Sequence, residues 1–383
     1  MRLSSAFSLV ATALALAFNL HLAAQASQDE TLDFLTRLTQ ANGTPGEEGS
    51  VVTILREKVQ AFTELSRDSR GALIAKKRGT SDRPRILLAA HMDEVGFQVK
   101  SITSGGFLRV VPLGSWFPAV MLGQRVVVRT AQGDLPGVFG ATPPHVLTSE
   151  QRQKAVQLED MYVDIGAKDE SHARKLGVEP GDHIVPEGAF TRMADPNMLL
   201  AKAWDDRVGC AVIAEVLERL QQTPHPNTVY GAWTPLEEVG RLNATVEMEN
   251  LRPDLVIVVE VGITVDTPGV SSEMVQERIG HGPSLDLYDG VLITPPNLKR
   301  WVVAEAGAAG IPLQFTTLGS GGGSAHGVSF LFRAPSIALL VPLRYAHTPN
   351  SLLDYRDYTK TKDLLFHLIS TLDQEKWRRI VGE

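Results

Sequence analysis

Two periodicities share this chain. Apolar residues recur at helical spacing over 32–39 and 51–65, and the turn-rich Asn42-Gly43-Thr44-Pro45-Gly46 separates the two runs. Residues 71–75 and 85–90 predict strands, the second apolar enough to be buried on both faces. From 97 to 196 the texture changes. Short β-branched runs such as Arg125-Val126-Val127-Val128 and Met161-Tyr162-Val163-Asp164 alternate with glycines and prolines, and helical spacing survives only around 151–157 and 171–176. This predicts a small all-β, PDZ-like domain over 97–196, set into a larger one.

Beyond residue 197 strand and helix alternate: helix 206–220, strands 228–234 and 255–261, helix 296–309, strands 312–317 and 336–341, and a closing helix 357–371. That order predicts an α/β sandwich with a mainly parallel sheet, assembled from 27–96 and 197–383. No fixed-period repeat interrupts it.

The first 26 residues follow a different grammar. Arg2 supplies a positive charge, residues 7–22 are almost wholly apolar, and Ala24-Gln25-Ala26 offers the small residues a signal peptidase reads. Cleavage is expected before Ser27. The apolar run is short for a span of about 20 residues, and no later segment is long and apolar enough to cross a bilayer. The mature protein is therefore expected outside the cytoplasm, periplasmic or secreted, with no stable membrane insertion. Its balance is that of a globular protein: 43% hydrophobic, 21% charged, net charge −7. A mildly acidic chain has no electrostatic reason to seek nucleic acid. Cys210, the single cysteine, sits in an apolar run and reads as a small buried hydrophobe. One thiol in an exported chain forms no internal disulfide, so stability must come from the core, metals or subunit contacts.

Four segments place acids or histidines just beyond predicted strands or at a helix start, where open α/β sheets build their sites. Ala90-His91-Met92-Asp93-Glu94 closes one strand; its imidazole suits a metal, with Asp93 two residues on to orient it. Trp204-Asp205-Asp206-Arg207 opens a helix, and a carboxylate there can bridge two cations. Pro235-Leu236-Glu237-Glu238-Val239-Gly240 follows a strand; adjacent acids project differently, so one can bind metal while the other serves as general base. Arg344-Tyr345-Ala346-His347-Thr348-Pro349 supplies a second imidazole. Each segment alone has an ordinary reading: a histidine capping a strand, acids complementing a helix dipole, a solvated turn. Together they give His, Asp, Glu and His in separate loops, the ligand mixture suited to zinc, cobalt or manganese.

The order of these motifs is similar to the dinuclear aminopeptidases of the glutamyl and tetrahedral aminopeptidase type, some of whose relatives carry an endoglucanase label. The resemblance rests on His91-x-Asp93-Glu94-Val95-Gly96-Phe97, Lys202-Ala203-x-Asp205-Asp206-Arg207, Glu237-Glu238-Val239-Gly240, Asp266-Thr267-Pro268-Gly269 and Arg344-Tyr345-x-His347-x-Pro349, and it covers nearly the whole mature chain. It implies two divalent metal ions per subunit, a peptide substrate, and homo-oligomers assembled through the inserted β domain. By motif, His91 would bind the first cation, Asp205 would bridge both, and Glu238 and His347 would bind the second. Glu237 would be the base and Asp93 would steer His91 or tune the metal. The family's remaining ligand is an Asp; here Glu260 stands at that position, with Asp266 the weaker substitute. A second departure is Gly321-Gly322-Gly323-Ser324-Ala325-His326, which lacks the acid its relatives have there. His145, His281 and His326 have weak claims in Pro- or Gly-rich loops.

The reaction so implied is removal of N-terminal residues by metal-activated water. A carboxypeptidase or amide deacylase on the same scaffold would need an Arg for the substrate carboxylate, for which Arg207 and Arg344 are the candidates. Glycoside hydrolysis wants paired carboxylic acids, and metal-bound acids are poor proton donors. A non-catalytic binding protein retaining the fold is the rival from another class.

Overall fold

A computed structural model describes residues 26–240, 250–290, 292–317 and 334–382. The expected signal segment, apart from Ala26, and the Gly321-to-His326 loop lie outside the described residues.

An eleven-stranded mixed sheet organises the larger part. Its centre is four parallel strands in the order Thr228–Thr234, Arg85–His91, Leu255–Ile263 and Ser336–Arg344. Arg85–His91 contains the run that reads as apolar enough to be buried on both faces, and all four strands are largely buried, with an apolar core on each face of the sheet. Alternation sorts their side chains. Leu255, Ile257 and Val259 join a core with the helix Trp204–Arg219, while Val256 and Val258 join Leu87 and Ala89 in a second core on the opposite face. Antiparallel strands complete the margins: Leu73–Arg78 and Glu64–Arg67 on one side, Ser351–Asp354, Met198–Ala201 and Thr191–Arg192 on the other. Parallel pairing thus holds across the four central strands, where crossovers are long, and antiparallel pairing joins them to the strands on either side.

Two sequence expectations change. The helix expected over 51–65 is Gly49–Val59, and Leu65 instead pairs with Ala75 in the edge strand Glu64–Arg67. A partner strand within reach overrides helical spacing that was apparent only locally. The strand Ser284–Tyr288 was not legible: it pairs in parallel with Gln314–Thr317 and antiparallel with Ser336–Arg344, and it buries Asp286 as well as Leu285.

Between His91 and the strand Met198–Ala201 the chain forms a closed six-stranded barrel from Gly96–Ile102, Leu108–Leu113, Tyr162–Asp164, Gly133–Gly140, Arg125–Thr130 and His183–Pro186. Phe97, Leu108, Val126, Phe139, Val163 and Ile184 fill it. The barrel leaves the sheet directly after His91, so its base lies against the carboxyl ends of the central strands. No helix among the described residues is long and apolar enough to cross a membrane.

Candidate metal centre

His91 is the last residue of its strand, and the ladder fixes its neighbours. Val258 pairs with Ala89 and Thr234 with His91. Continuing the first register by two residues sets Glu260 beside His91, on the face already shared by Val256 and Val258. Glu260 Oε2 lies 3.7 Å from His91 Nε2.

Asp205 arrives from the start of the helix Trp204–Arg219, where the backbone departs from helical values at Asp205 (φ −77°, ψ 109°) and Asp206 (φ −114°, ψ 41°). Its carboxylate straddles two imidazoles. Oδ1 is 3.0 Å from His91 Nε2, and Oδ2 is 3.3 Å from His347 Nε2. Glu238 Oε2 lies 3.4 Å from the same His347 nitrogen. Ligand atoms of His91, Asp205 and Glu238 all fall within 4.8 Å of one another, as do those of His91, Asp206 and Glu260.

Both imidazoles are oriented by backbone carbonyls, which only accept. His91 Nδ1 donates to the Asp93 carbonyl (3.1 Å) and His347 Nδ1 to the Ser115 carbonyl (2.7 Å). Each ring therefore turns Nε2 toward Asp205. Asp206 is held by the His91 and Gly209 N–H groups (3.2 and 3.0 Å), so it props the strand end while lying in the second ligand group.

The Glu237–Glu238 turn is clasped from two directions. Asp93, fully buried, accepts from the Glu237 N–H through Oδ1 and from the Glu238 N–H through Oδ2, both at 3.0 Å. Glu48 Oε1 accepts from the preceding Leu236 N–H at 3.3 Å and from Gly46 N–H at 2.8 Å. Glu237 Oε2 then stands 4.0 Å from His91 Nε2. Left-handed backbone concentrates here: Ala203 (φ 56°), Leu236 (63°), Tyr345 (61°) and His347 (57°) are four of the five non-glycine residues with positive φ among those described. Each costs about 1–2 kcal/mol, which the surrounding contacts must offset.

The centre is short of positive charge. Asp205, Asp206, Glu237, Glu238 and Glu260 share it with the imidazoles of His91 and His347. Burial, and then Asp205, push the Glu238 carboxyl well above the usual range; burial and Glu260 do the same to Asp206. Burial opposes charge on His91, but Glu260, Asp205 and Asp93 outweigh it and hold the ring well above its ordinary value. His347 is likewise raised to about 10, Asp205 and Glu238 overcoming burial. Glu238 Oε1 is buried and accepts no hydrogen bond among the described residues. Hard oxygen donors in excess, two oriented imidazole nitrogens and an unsatisfied carboxylate oxygen fit divalent cations.

Of the sequence candidates, the structure brings together His91, Asp93, Asp205, Glu237, Glu238, Glu260 and His347. It leaves others apart. Asp266 is taken by Arg344, whose Nε and guanidinium nitrogen lie 2.6 and 2.7 Å from its two oxygens. Arg207 is wholly buried and donates to the carbonyls of Leu38, Ala41, Gly43 and Met92. Neither arginine is available to a substrate carboxylate in this arrangement. Cys210 is buried with its thiol directed at the His91 carbonyl, and burial raises its pKa well above the ordinary value, as a structural thiol requires. His145 and His281 lie outside the ligand groups.

Sequence reasoning missed Glu48, the barrel residues Gly114 and Ser115, and the buried Glu94–Lys202 pair (2.6 and 2.7 Å) beside the centre. Nothing local separates buried Glu48 from exposed Glu47. Ser115 acts through its backbone, which residue identity does not announce.

Comparison with known proteins gives the family and the fold. Residues 71–364 match the family model described as M42 glutamyl aminopeptidase. The chain is 33% identical over 353 residues to glutamyl aminopeptidase of Lactococcus lactis subsp. cremoris (strain MG1363), covering 91% of this chain and 98% of that one. A crystal structure of a TET aminopeptidase from the marine sediment archaeon Thaumarchaeota archaeon SCGC AB-539-E09 superposes with TM-score 0.89 at 37% identity, covering 92% of this chain and 99% of the other. The Pyrococcus horikoshii TET1 peptidase, which can assemble into a tetrahedron or a large octahedral shell, matches with TM-score 0.80 at 29% identity, covering 89% and 100%.

Proposed function

The chain belongs to the M42 glutamyl aminopeptidase family, and from that premise we propose that it is an exported dinuclear metallo-aminopeptidase. It is an enzyme of peptide-bond hydrolysis with a metal-binding acidic centre; the number of cations, their holders and the route out of the cytoplasm are our reading. The observation that carries it is the Asp205 carboxylate, with one oxygen 3.0 Å from His91 and the other 3.3 Å from His347. In this assignment His91 and Glu260 would hold the first cation, Glu238 and His347 the second, and Asp205 would be shared by both. Zinc or cobalt suits the donor set best, and manganese is compatible with it.

Two cations in such a site supply Lewis-acid polarisation of the scissile carbonyl and a lowered pKa for the attacking water. The chain's own residues do the rest. As the water oxygen bonds to the carbonyl carbon, Glu237 would accept the water's proton and return it to the leaving nitrogen when the carbon–nitrogen bond breaks, so that it ends the cycle as it began. The Asp93 and Glu48 contacts hold its turn in place while the proton moves. Arg207 is spent on backbone carbonyls and Arg344 on Asp266, which argues against carboxylate recognition and so against a carboxypeptidase.

The test is direct. Purified protein should carry two divalent ions per chain and release N-terminal residues from free-amine peptides, leaving N-blocked counterparts intact. Cleavage of blocked peptides, or one ion per chain, would refute the assignment. Export is supported by the charged, apolar and small-residue order of residues 1–26; the extracytoplasmic chain should begin at Ser27 by mass. Homo-oligomers formed through the barrel complete the proposal, supported by the shells of the P. horikoshii relative, and light scattering checks them.

A further inference from the structure

The two histidines are oriented alike, but their carbonyl partners come from different parts of the molecule. His91 is set by Asp93, two residues along its own strand end. His347 is set by Ser115, in the segment that follows the barrel strand Leu108–Leu113. Gly114, just before it, lies against the other residue assigned to the second cation: a Cβ built there would sit 3.1 Å from Glu238 Oε2 and 2.5 Å from Val95 Cγ1. Its φ of +92° also favours glycine. The next residue, Trp116, pins the segment by donating from Nε1 to the Gly96 carbonyl (3.0 Å) and stacking on Phe97 with ring centroids 4.9 Å apart.

We propose that the barrel segment Gly114–Ser115 is a positioning element for the second cation, setting its affinity while leaving the first cation to the sheet. The inference rests on the dinuclear reading above. Gly114 permits the close approach, the Ser115 carbonyl fixes which His347 nitrogen carries the proton, and together they hold Glu238 and His347 in one arrangement. The residues that would hold the first cation, His91 and Glu260, stand on adjacent strands of the central sheet and not on elements that this segment touches directly. Displacing the segment therefore loosens the two cation positions unequally. Loss of an orienting partner behind a histidine ligand typically weakens metal binding about 10–100-fold.

The test is zinc titration of the full-length mature protein, stripped and refilled, with stoichiometry read by mass spectrometry of the metal and affinities by calorimetry. Wild type should bind two zinc ions. Gly114→Ala should bind one ion as wild type does and the other about 10–100-fold less well. The control is Gly123→Ala, also in the barrel and also at positive φ (+77°), where an added Cβ meets nothing within 4 Å. It bears the same backbone strain and should bind both ions as wild type does. Trp116→Phe keeps the stacking but loses the anchor to Gly96, and should weaken one of the two sites and spare the other in the same way; it decides the matter if Gly114→Ala does not fold. Retention of both wild-type affinities in the Gly114 or Trp116 variant, or parallel loss of both ions, overturns the inference. A wild-type stoichiometry of one overturns the dinuclear reading itself, and this inference with it.

Discussion

Replacing Asp93 by Asn separates a residue that acts through the base from one that acts on the metal. The side chain keeps its shape, but one carboxylate oxygen becomes an NH2 group. Asp93 accepts from two backbone donors, the Glu237 and Glu238 N–H groups, each at 3.0 Å. Whichever way the amide turns, one N–H then faces another donor in a buried position. A buried donor left unsatisfied costs about 1–3 kcal/mol, and the surviving bond falls to roughly half its strength once the acceptor is neutral. The local cost is thus about 2–4 kcal/mol, placed on a turn whose preceding residue, Leu236, is already in left-handed backbone. The turn relaxes by letting Glu237 move, and a misplacement of about 1 Å costs roughly 10²-fold in rate. We therefore expect kcat for an aminoacyl nitroanilide to fall about 10²-fold, with KM and bound metal little changed. Glu237→Gln should remove about 10²–10⁴-fold. The decisive measurement is the double variant. If Asp93 works by placing Glu237, then Asp93→Asn adds almost nothing once Glu237 is Gln. Multiplicative losses, or loss of metal from Asp93→Asn alone, would refute this reasoning.

Three further expectations follow from the same coordinates. Glu48→Ala leaves the Leu236 N–H without its acceptor and should lower kcat about 10-fold at unchanged metal content, a loss of about 1.4 kcal/mol of transition-state stabilisation, whereas Glu47→Ala, on the exposed neighbour, should match wild type in the same assay. Glu277 is buried, and burial raises its carboxyl from 4.5 to about 7. A raised folded pKa gives stability that is complete below pH 4.5 and lost as pH climbs through about 7. Glu277→Gln should therefore raise the melting temperature at pH 8, reflecting up to about 3 kcal/mol, and give no gain at pH 4.5; equal shifts at both pH values would contradict it. On the dinuclear reading chelation should lower the melting temperature, since the cations would balance Asp205, Glu238 and Glu260. Ions present at about 100 times their dissociation constant contribute about 2.7 kcal/mol, and calorimetry with and without chelator reads the difference.

Much of this was legible in the chain because it depends on local composition. The strands Thr228–Thr234 and Leu255–Ile263 announce themselves: strands covered on both faces are apolar along most of their length. His91, Asp205, Glu237, Glu238 and His347 stand out as chemistry-bearing types at strand ends and a helix start. Local spacing failed where pairing decided the outcome, as at Leu65, which left a helical pattern for an edge strand, and at Ser284–Tyr288, whose buried acid hides it among polar residues.

The sequence by itself determined which residue types are available and in what order: the acids, the two imidazoles, the runs that must be buried. Only the tertiary structure decided that Glu260 stands beside His91, because a sheet register brings together residues 169 positions apart, counting from 91 to 260. It alone chose Glu48 over Glu47, since burial is a property of packing. And it alone gave His347 its partner, because a backbone carbonyl is the same in every residue and becomes specific only by where the fold puts it.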